Sequence, residues 1–373
     1  MRFRWTWDVG RIAGITISIH PSWLLIYALF VWRAAYFGHL FAPSLHGASS
    51  LALVLVAPLV FFACLIAHEF AHALVARRLG IPIGGITLFL FGGVATIMRE
   101  PDAPVDELKM AIAGPALSAA LALVFWLLYL GASALNWDWG ATFCYFLSIA
   151  NAVVAVFNLI PAFPTDGGRV LRSLLWMAQP SSARATVWAS NVSLVFAGAL
   201  ILTGLYIVFG LDELQGLWLV LIAGFLAQAA RGVGRQARID RKLETMLVRD
   251  CMVKSLVPVP AQTSVASFIG EVAGKPQTGY PVVDQGALVG LADVRQTAGI
   301  PLPLWAQTPV SAVMTPIART IALSGTESAR EVLRQLSQRE LGELPVYSDG
   351  ELVGIVSRDS IFRALHAVRG APA

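Results

Sequence analysis

Cysteine and charge are the two things this chain has little of. Only three cysteines occur in 373 residues, Cys64, Cys144 and Cys251, and no Cys-x-x-Cys pair. Neither a disulfide framework nor a cysteine-based zinc site is therefore expected. Asp, Glu, Lys and Arg together make up 13% of the chain, against about 25% in soluble domains. That scarcity, with 57% hydrophobic residues and a mean hydropathy of +0.68, excludes a disordered chain and argues against an ordinary soluble enzyme. Also lacking is the apolar run of a cleavable signal peptide: Met1 to Arg11 carries Arg2, Arg4 and Arg11 but no such run, so none is expected. The net charge of +4 does not indicate a nucleic-acid partner, because the basic residues sit at the edges of apolar segments.

What is present is a sequence of long apolar stretches. They cover residues 23–37, 51–76, 110–130, 142–160, 187–209 and 214–230. Five have the length of a membrane span, roughly 20 residues, and the first is short. Before it, Gly14 to His20 alternates with period two, which predicts a strand. The loops after spans one, three and five contain no Lys or Arg, whereas basic residues flank the other ends, among them Arg77, Arg78, Arg169, Arg172 and Arg231. The positive-inside rule then predicts a multi-pass protein of the inner (plasma) membrane with its N-terminus and C-terminal region in the cytoplasm. Arg33 is the exception, near the outer end of span one, where a long side chain can snorkel.

Residues 81–98, IPIGGITLFLFGGVATIM, are apolar yet broken by two glycine pairs. The segment is too short and too glycine-rich for a spanning helix. Non-helical backbone at membrane depth must be paired or line a wet cavity. We read it as a re-entrant hairpin, with strand 14–20 as a candidate partner.

The second span contains His68-Glu69-Phe70-Ala71-His72. Positions i and i+4 share a helix face, so both imidazoles can reach one ion, with Glu69 placed to act on a water there. Three ionisable groups in an apolar helix are costly, and a metal in a wet cavity accounts for all three together. Two histidines leave zinc short of a third protein ligand. Asp166 is the candidate, closing the segment NLIPAFPTD (158–166) just after span four. Pro161 and Pro164 stop a helix there, and Gly167-Gly168 permits close backbone approach. Alone, an Asp-Gly pair reads as a turn; beside HExxH it reads as a ligand.

HEFAH, FGGVA and NLIPAFPTDGGRVLR together resemble the site-2 protease family of intramembrane zinc metalloproteases, in its branch carrying CBS domains. The resemblance implies that His68, His72 and Asp166 bind one zinc ion, that Glu69 is the general base, and that Asn158 assists catalysis near the scissile strand. It implies that Gly92 and Gly93 lie in a loop pairing with an unwound substrate, a single-pass membrane protein cut near the cytoplasmic face within the lipid bilayer. Thr165 and Ser118 depart from the family's pattern, Ser118 standing where many members have Asn.

The last third repeats itself. Pro281-Val282-Val283-Asp284-Gln285-Gly286 and Gly290 recur 64 residues on as Pro345-Val346-Tyr347-Ser348-Asp349-Gly350 and Gly354, with Met252 and Met314 opening the copies. Each copy reads as strand, helix, two strands, helix. The pattern resembles a tandem CBS pair, which implies ATP or AMP as a candidate ligand, with Ser357 and Asp359 as candidate contacts, and a candidate homodimer through the pair. The expected fold is thus a polytopic α-helical membrane protein, a six-span core with a membrane-associated β-hairpin, followed by an α/β tandem CBS domain. Its expected boundaries are 1–232 for the protease domain, 233–248 for a linker and 249–373 for the CBS pair, with repeats at about 249–300 and 311–369. Two other classes fit parts of the sequence: a nucleotide-gated transporter, and a catalytically inactive scaffold. The intact HExxH and Asp166 segments argue against the scaffold, and the transporter predicts that Glu69→Gln leaves function intact.

Overall fold

The computed structural model describes residues 5–41, 47–89, 92–179, 181–272, 279–339 and 341–367. The chain divides into two compact units, Met1–Ala237 and Arg238–Ala373.

The first unit opens with a four-stranded sheet ordered β1-β2-β3-β4: β1 is Trp7–Ile12, β2 Ile15–Ile19, β3 Ile83–Phe89 and β4 Gly92–Ile97. The strand read at 14–20 is β2, and the glycine-broken segment is the β3–β4 hairpin. β2 runs parallel to β3, with Ile17 opposite Ile86 and Ile19 opposite Leu88. β1, unforeseen in the sequence, turns back on β2 through Ala13-Gly14, both at positive φ (48° and 79°). Strand alternation puts Ile15, Ile17, Ile86 and Leu88 in the core, and Ile15 and Ile86 cluster with Ala73. The sheet therefore lies against the helix that carries HExxH. The Arg77 guanidinium, donating to the Ala13 carbonyl, ties that helix end to the β1–β2 turn.

The helices that follow among the described residues are α1 Ser22–Phe41, α2 Ala48–Arg78, α3 Pro104–Ala134, α4 Asp138–Asn158, α5 Asp166–Met177, α6 Ser182–Gly210 and α7 Gly216–Thr245, whose residues from Arg238 on belong to the second unit. Among the described residues, α2, α3, α4, α6 and α7 are long and apolar enough to cross a membrane. The first expected span corresponds to α1, whose apolar Ser22–Trp32 stretch is shorter. Large apolar side chains such as Leu127, Val195, Leu202 and Phe209 point outward, while small ones such as Ala189, Ser190, Ser193, Ala197 and Ala230 fill the interior. That is how helices pack where lipid, and not water, is the outer solvent. This is a multi-pass membrane protein. α5 was not foreseen: the segment 161–186 has no apolar run, but α5 is amphipathic and buries Gly167, Gly168 and Ser173. The expected linker is helical over most of its length, since α7 continues to Thr245.

The second unit holds α8 Val248–Cys251 and the repeat. The first copy is β5 Val259–Pro260, α9 Val265–Val272, β6 Gly279–Asp284 and β7 Ala287–Asp293. β8 Thr315–Pro316 pairs with β7. The second copy is β9 Leu323–Ser324, α10 Ala329–Gln338, β10 Glu343–Ser348, β11 Glu351–Ser357 and α11 Arg358–Ala367. Both hairpins turn through two residues at positive φ, Gln285-Gly286 and Asp349-Gly350. Two details differ from the sequence reading. The closing helix of the first copy is only a 3-10 segment, Val294–Gly299. The opening segments also cross over. Val253 bridges to Ile355 and Met252 packs on Gly354, in the second copy, whereas Met314 packs on Gly290, in the first. Each hydrophobic core accordingly mixes residues from both copies: Val248 and Cys251 join Leu323, Leu344 and Ile361, and Val310 joins Val259, Phe268 and Tyr280.

Candidate metal centre

Helical spacing brings His68 and His72 side by side on α2, with ring centroids 4.9 Å apart and both side chains buried. Their Nε2 atoms lie 3.2 Å from each other. Asp166 Oδ2 lies 3.2 Å from His68 Nε2 and 3.0 Å from His72 Nε2.

The far side of each ring is also held. His72 Nδ1 is 2.6 Å from the Met110 carbonyl oxygen, and His68 Nδ1 is 2.8 Å from Ser118 Oγ. A carbonyl oxygen only accepts, so the His72 proton sits on Nδ1 and its Nε2 presents a lone pair. α3 approaches this closely because residue 114 is glycine. A Cβ there would stand 2.2 Å from His72 Nε2 and 2.5 Å from His68 Nε2.

Asp166 reaches the pair from a folded elbow. α4 ends at Asn158, and residues 159–165 turn through the cis Phe163-Pro164 bond into α5, which Asp166 begins. The Thr165 hydroxyl sits 2.7 Å from the Ile160 carbonyl oxygen and 2.8 Å from that of Ala162, and the Phe163 N–H donates to Ser193 Oγ at 2.9 Å. Gly167 and Gly168 pack directly on this turn: a Cβ at Gly167 would lie 2.2 Å from the Ile160 oxygen, and one at Gly168 2.7 Å from the Phe163 nitrogen. α5 is in turn docked onto α3. Arg172 Nε lies 2.8 Å from Glu107 Oε1, a fully buried carboxylate at the start of α3, and the Arg169 Nε lies 3.8 Å from it. The sequence reading treated Arg169 and Arg172 as markers of membrane orientation and did not single out Glu107. A charged residue three before the apolar run beginning at Met110 was the available signal.

Glu69 faces the sheet. A Cβ at Gly93 of β4 would stand 2.4 Å from Glu69 Cγ, and the Ala95 main chain hydrogen-bonds to the Glu69 carboxylate. β4 is an edge strand, paired with β3 on one side only among the described residues.

The donor set fits zinc. Three acceptor atoms converge with pairwise separations of 3.0–3.2 Å. Ligand distances of roughly 2.0–2.1 Å at tetrahedral angles give an edge of about 3.3 Å. Acceptors so arranged repel one another unless positive charge lies among them, and two imidazoles with a carboxylate are a set typical of a zinc centre with an open coordination position.

The other expected site residues make contacts of their own. The Asn158 amide donates to the Val154 carbonyl of its own helix at 3.0 Å, with no described hydrogen bond to the three converging side chains. In the second unit, Ser357 and Ser360 cap the start of α11 reciprocally: the Ser360 N–H donates to Ser357 Oγ at 3.1 Å and the Ser357 N–H to Ser360 Oγ at 3.0 Å. Asp359 is exposed on the first turn of that helix.

Comparison with known proteins gives the family. The model for peptidase family M50 matches residues 56–137 and 129–200, and the CBS domain model matches residues 310–367. The chain is 32% identical over 363 residues to sll0528 of Synechocystis sp., provisionally named a zinc metalloprotease, covering 96% of this chain and 94% of that one. It is 31% identical to Rip3 of Mycobacterium tuberculosis, named in the same terms, over 97% of this chain and 93% of that one. Among solved structures, the site-2 protease from Methanocaldococcus jannaschii aligns with 25% identity over 62% of this chain and 95% of that chain, at a TM-score of 0.42. Near-full-length relatedness at this level, with the M50 model lying across the three converging side chains, means that the chain belongs to peptidase family M50, the site-2 protease family of zinc metalloproteases, and carries a CBS domain at its C-terminal end.

Proposed function

We propose that this protein is an intramembrane zinc endopeptidase that cleaves a single-pass membrane protein near the cytoplasmic face, with His68, His72 and Asp166 holding the ion and Glu69 as general base. The observation that carries the reading is the convergence of three acceptor atoms from α2 and α5 inside a membrane-spanning bundle, with a carboxylate next to them. Zinc, when bound, supplies Lewis-acid polarisation of a peptide carbonyl and makes water more acidic.

The chain's own residues supply the rest. Glu69, directed at β4, takes a proton from the attacking water and delivers it to the leaving amine. A helical substrate hides its carbonyls in its own hydrogen bonds, so it must unwind, and each freed backbone group needs a partner. The outer edge of β4 offers a row of backbone donors and acceptors beside Glu69, which fits strand addition by an extended substrate. Gly93 keeps that strand close to the carboxylate, since any larger residue would collide with Glu69. Asn158 ends α4, and its assigned role on the substrate side requires its side chain to leave the Val154 carbonyl.

The arrangement of basic residues supports a cytoplasmic N-terminus and C-terminal unit. We read that unit, with its two mixed cores, as a tandem CBS pair regulating the protease, with adenine nucleotide at Ser357 and Asp359 as the candidate ligand and the pair as a candidate dimer contact. Titration calorimetry of the full chain with ATP and AMP tests this, and absence of binding removes it. For the main reading, the test is co-expression with single-span candidate substrates. Processing should be lost in Glu69→Gln while the protein still accumulates in the membrane. Processing that survives Glu69→Gln would leave the transporter or scaffold reading in its place.

A further inference from the structure

One face of α3 supports the whole centre. Residues 107, 110, 114 and 118 follow each other at intervals of three, four and four, one helix face over three turns. From this face Glu107 anchors α5 through Arg172, the Met110 carbonyl holds His72, Gly114 makes room for both imidazoles, and Ser118 meets His68. Three of these act through backbone, through absence of a side chain or through another helix. Ser118 alone touches a converging histidine with its own side chain.

The two histidines are not held alike. His72 donates to a carbonyl, which has no proton to give, so its orientation and tautomer are fixed by main chain. His68 faces a hydroxyl that can accept or donate. Ser118 is 1% exposed and His68 3%, so water does not compete for this contact. A buried hydroxyl without a partner costs free energy, and the partner here is His68 Nδ1. For His68 Nε2 to offer its lone pair toward Asp166, Nδ1 must carry the proton and Ser118 Oγ must accept it.

We propose that Ser118 is a positioning residue for His68: its oxygen accepts the Nδ1–H and thereby turns the Nε2 lone pair toward the ion shared with His72 and Asp166. The proposal rests on the zinc reading given above. Outer hydrogen-bond partners of this kind are worth roughly 10- to 100-fold in metal affinity.

The test uses the full chain purified in detergent, with zinc affinity measured by chelator competition and visible absorption recorded after loading with Co2+. Ser118→Ala should bind zinc 10- to 100-fold more weakly and shift the Co2+ spectrum. Ser148→Ala is the matched control. That hydroxyl is also buried, 4% exposed, and sits 2.9 Å from the Ala122 carbonyl oxygen on α3, with no described hydrogen bond to either imidazole. It should match Ser118→Ala in membrane yield and melting temperature while keeping wild-type zinc affinity. Zinc affinity of Ser118→Ala within threefold of wild type, or equal weakening in the two variants, overturns the proposal. His68→Ala separates the layers. If it retains the ion, the zinc reading itself fails; if it loses the ion while Ser118→Ala does not weaken binding, only the role of Ser118 falls.

Discussion

Gly114→Ala is the most demanding perturbation the centre admits, because it adds one carbon and removes nothing. That carbon would stand 2.2 Å from His72 Nε2, 2.5 Å from His68 Nε2 and 2.7 Å from His68 Cδ2. Comfortable carbon–nitrogen contact begins near 3.4 Å, so the rings or the helix must give way by about 1 Å, and overpacking of this kind costs about 1–3 kcal/mol. Metal sites tolerate ligand displacements of only about 0.2 Å. The variant should therefore fold with a modest loss of stability yet lose zinc, and a misplacement of about 1 Å should reduce cleavage by about 100-fold or more. The assay is metal content per mole of purified protein, read beside cleavage of a single-span substrate in the same preparation. Gly131→Ala, on the same helix with nothing within 4 Å of the added carbon, controls for the substitution itself. Normal zinc content and normal cleavage in Gly114→Ala would refute the claim that α3 presses on the ligands.

Three further outcomes follow from the structure. Glu69→Gln should keep its zinc, because Glu69 is not among the converging side chains, and should lower cleavage by about 10²–10⁴-fold in a single-turnover assay, the usual contribution of a positioned acid–base group. Glu107→Ala leaves the guanidinium of Arg172 without its buried partner and should destabilise the protein by about 3–5 kcal/mol; a melting temperature unchanged from wild type would show the pair to be dispensable. Burial, with the Asp250 carboxylate adding to it, pushes the Cys251 thiol up to about 11, so it stays protonated and inert at neutral pH. In a chain with Cys64 and Cys144 replaced by Ala, iodoacetamide should modify Cys251 only after denaturation.

The parts of this protein that were legible from sequence are those written in one local pattern. HExxH announces two adjacent imidazoles because helical spacing alone brings i and i+4 together. The alternation at residues 15–19 and the glycine pairs flanking 86–91 announce strands, and the 64-residue repeat announces two similar folds. Other features depend on contacts between distant segments and leave no such trace. α5 hides because it is amphipathic and begins with Asp-Gly-Gly, which reads as a turn; only packing of both glycines against the 160–163 backbone reveals why they are tolerated in a first helical turn. Met110 contributes a carbonyl, which no side-chain motif can encode. The crossing of the Met252 and Met314 segments between repeat copies is invisible for the same reason: each methionine marks the start of one unit in sequence and completes the other in space.

Asp166 lies 94 residues beyond His72 in the chain and 98 beyond His68. While the polypeptide is still being made, the two imidazoles enter the bilayer long before their carboxylate partner has left the ribosome. A half-built molecule therefore holds two of the three converging side chains and lacks the third. On the proposed reading, the centre stays incomplete until α4 and the elbow after it are in place.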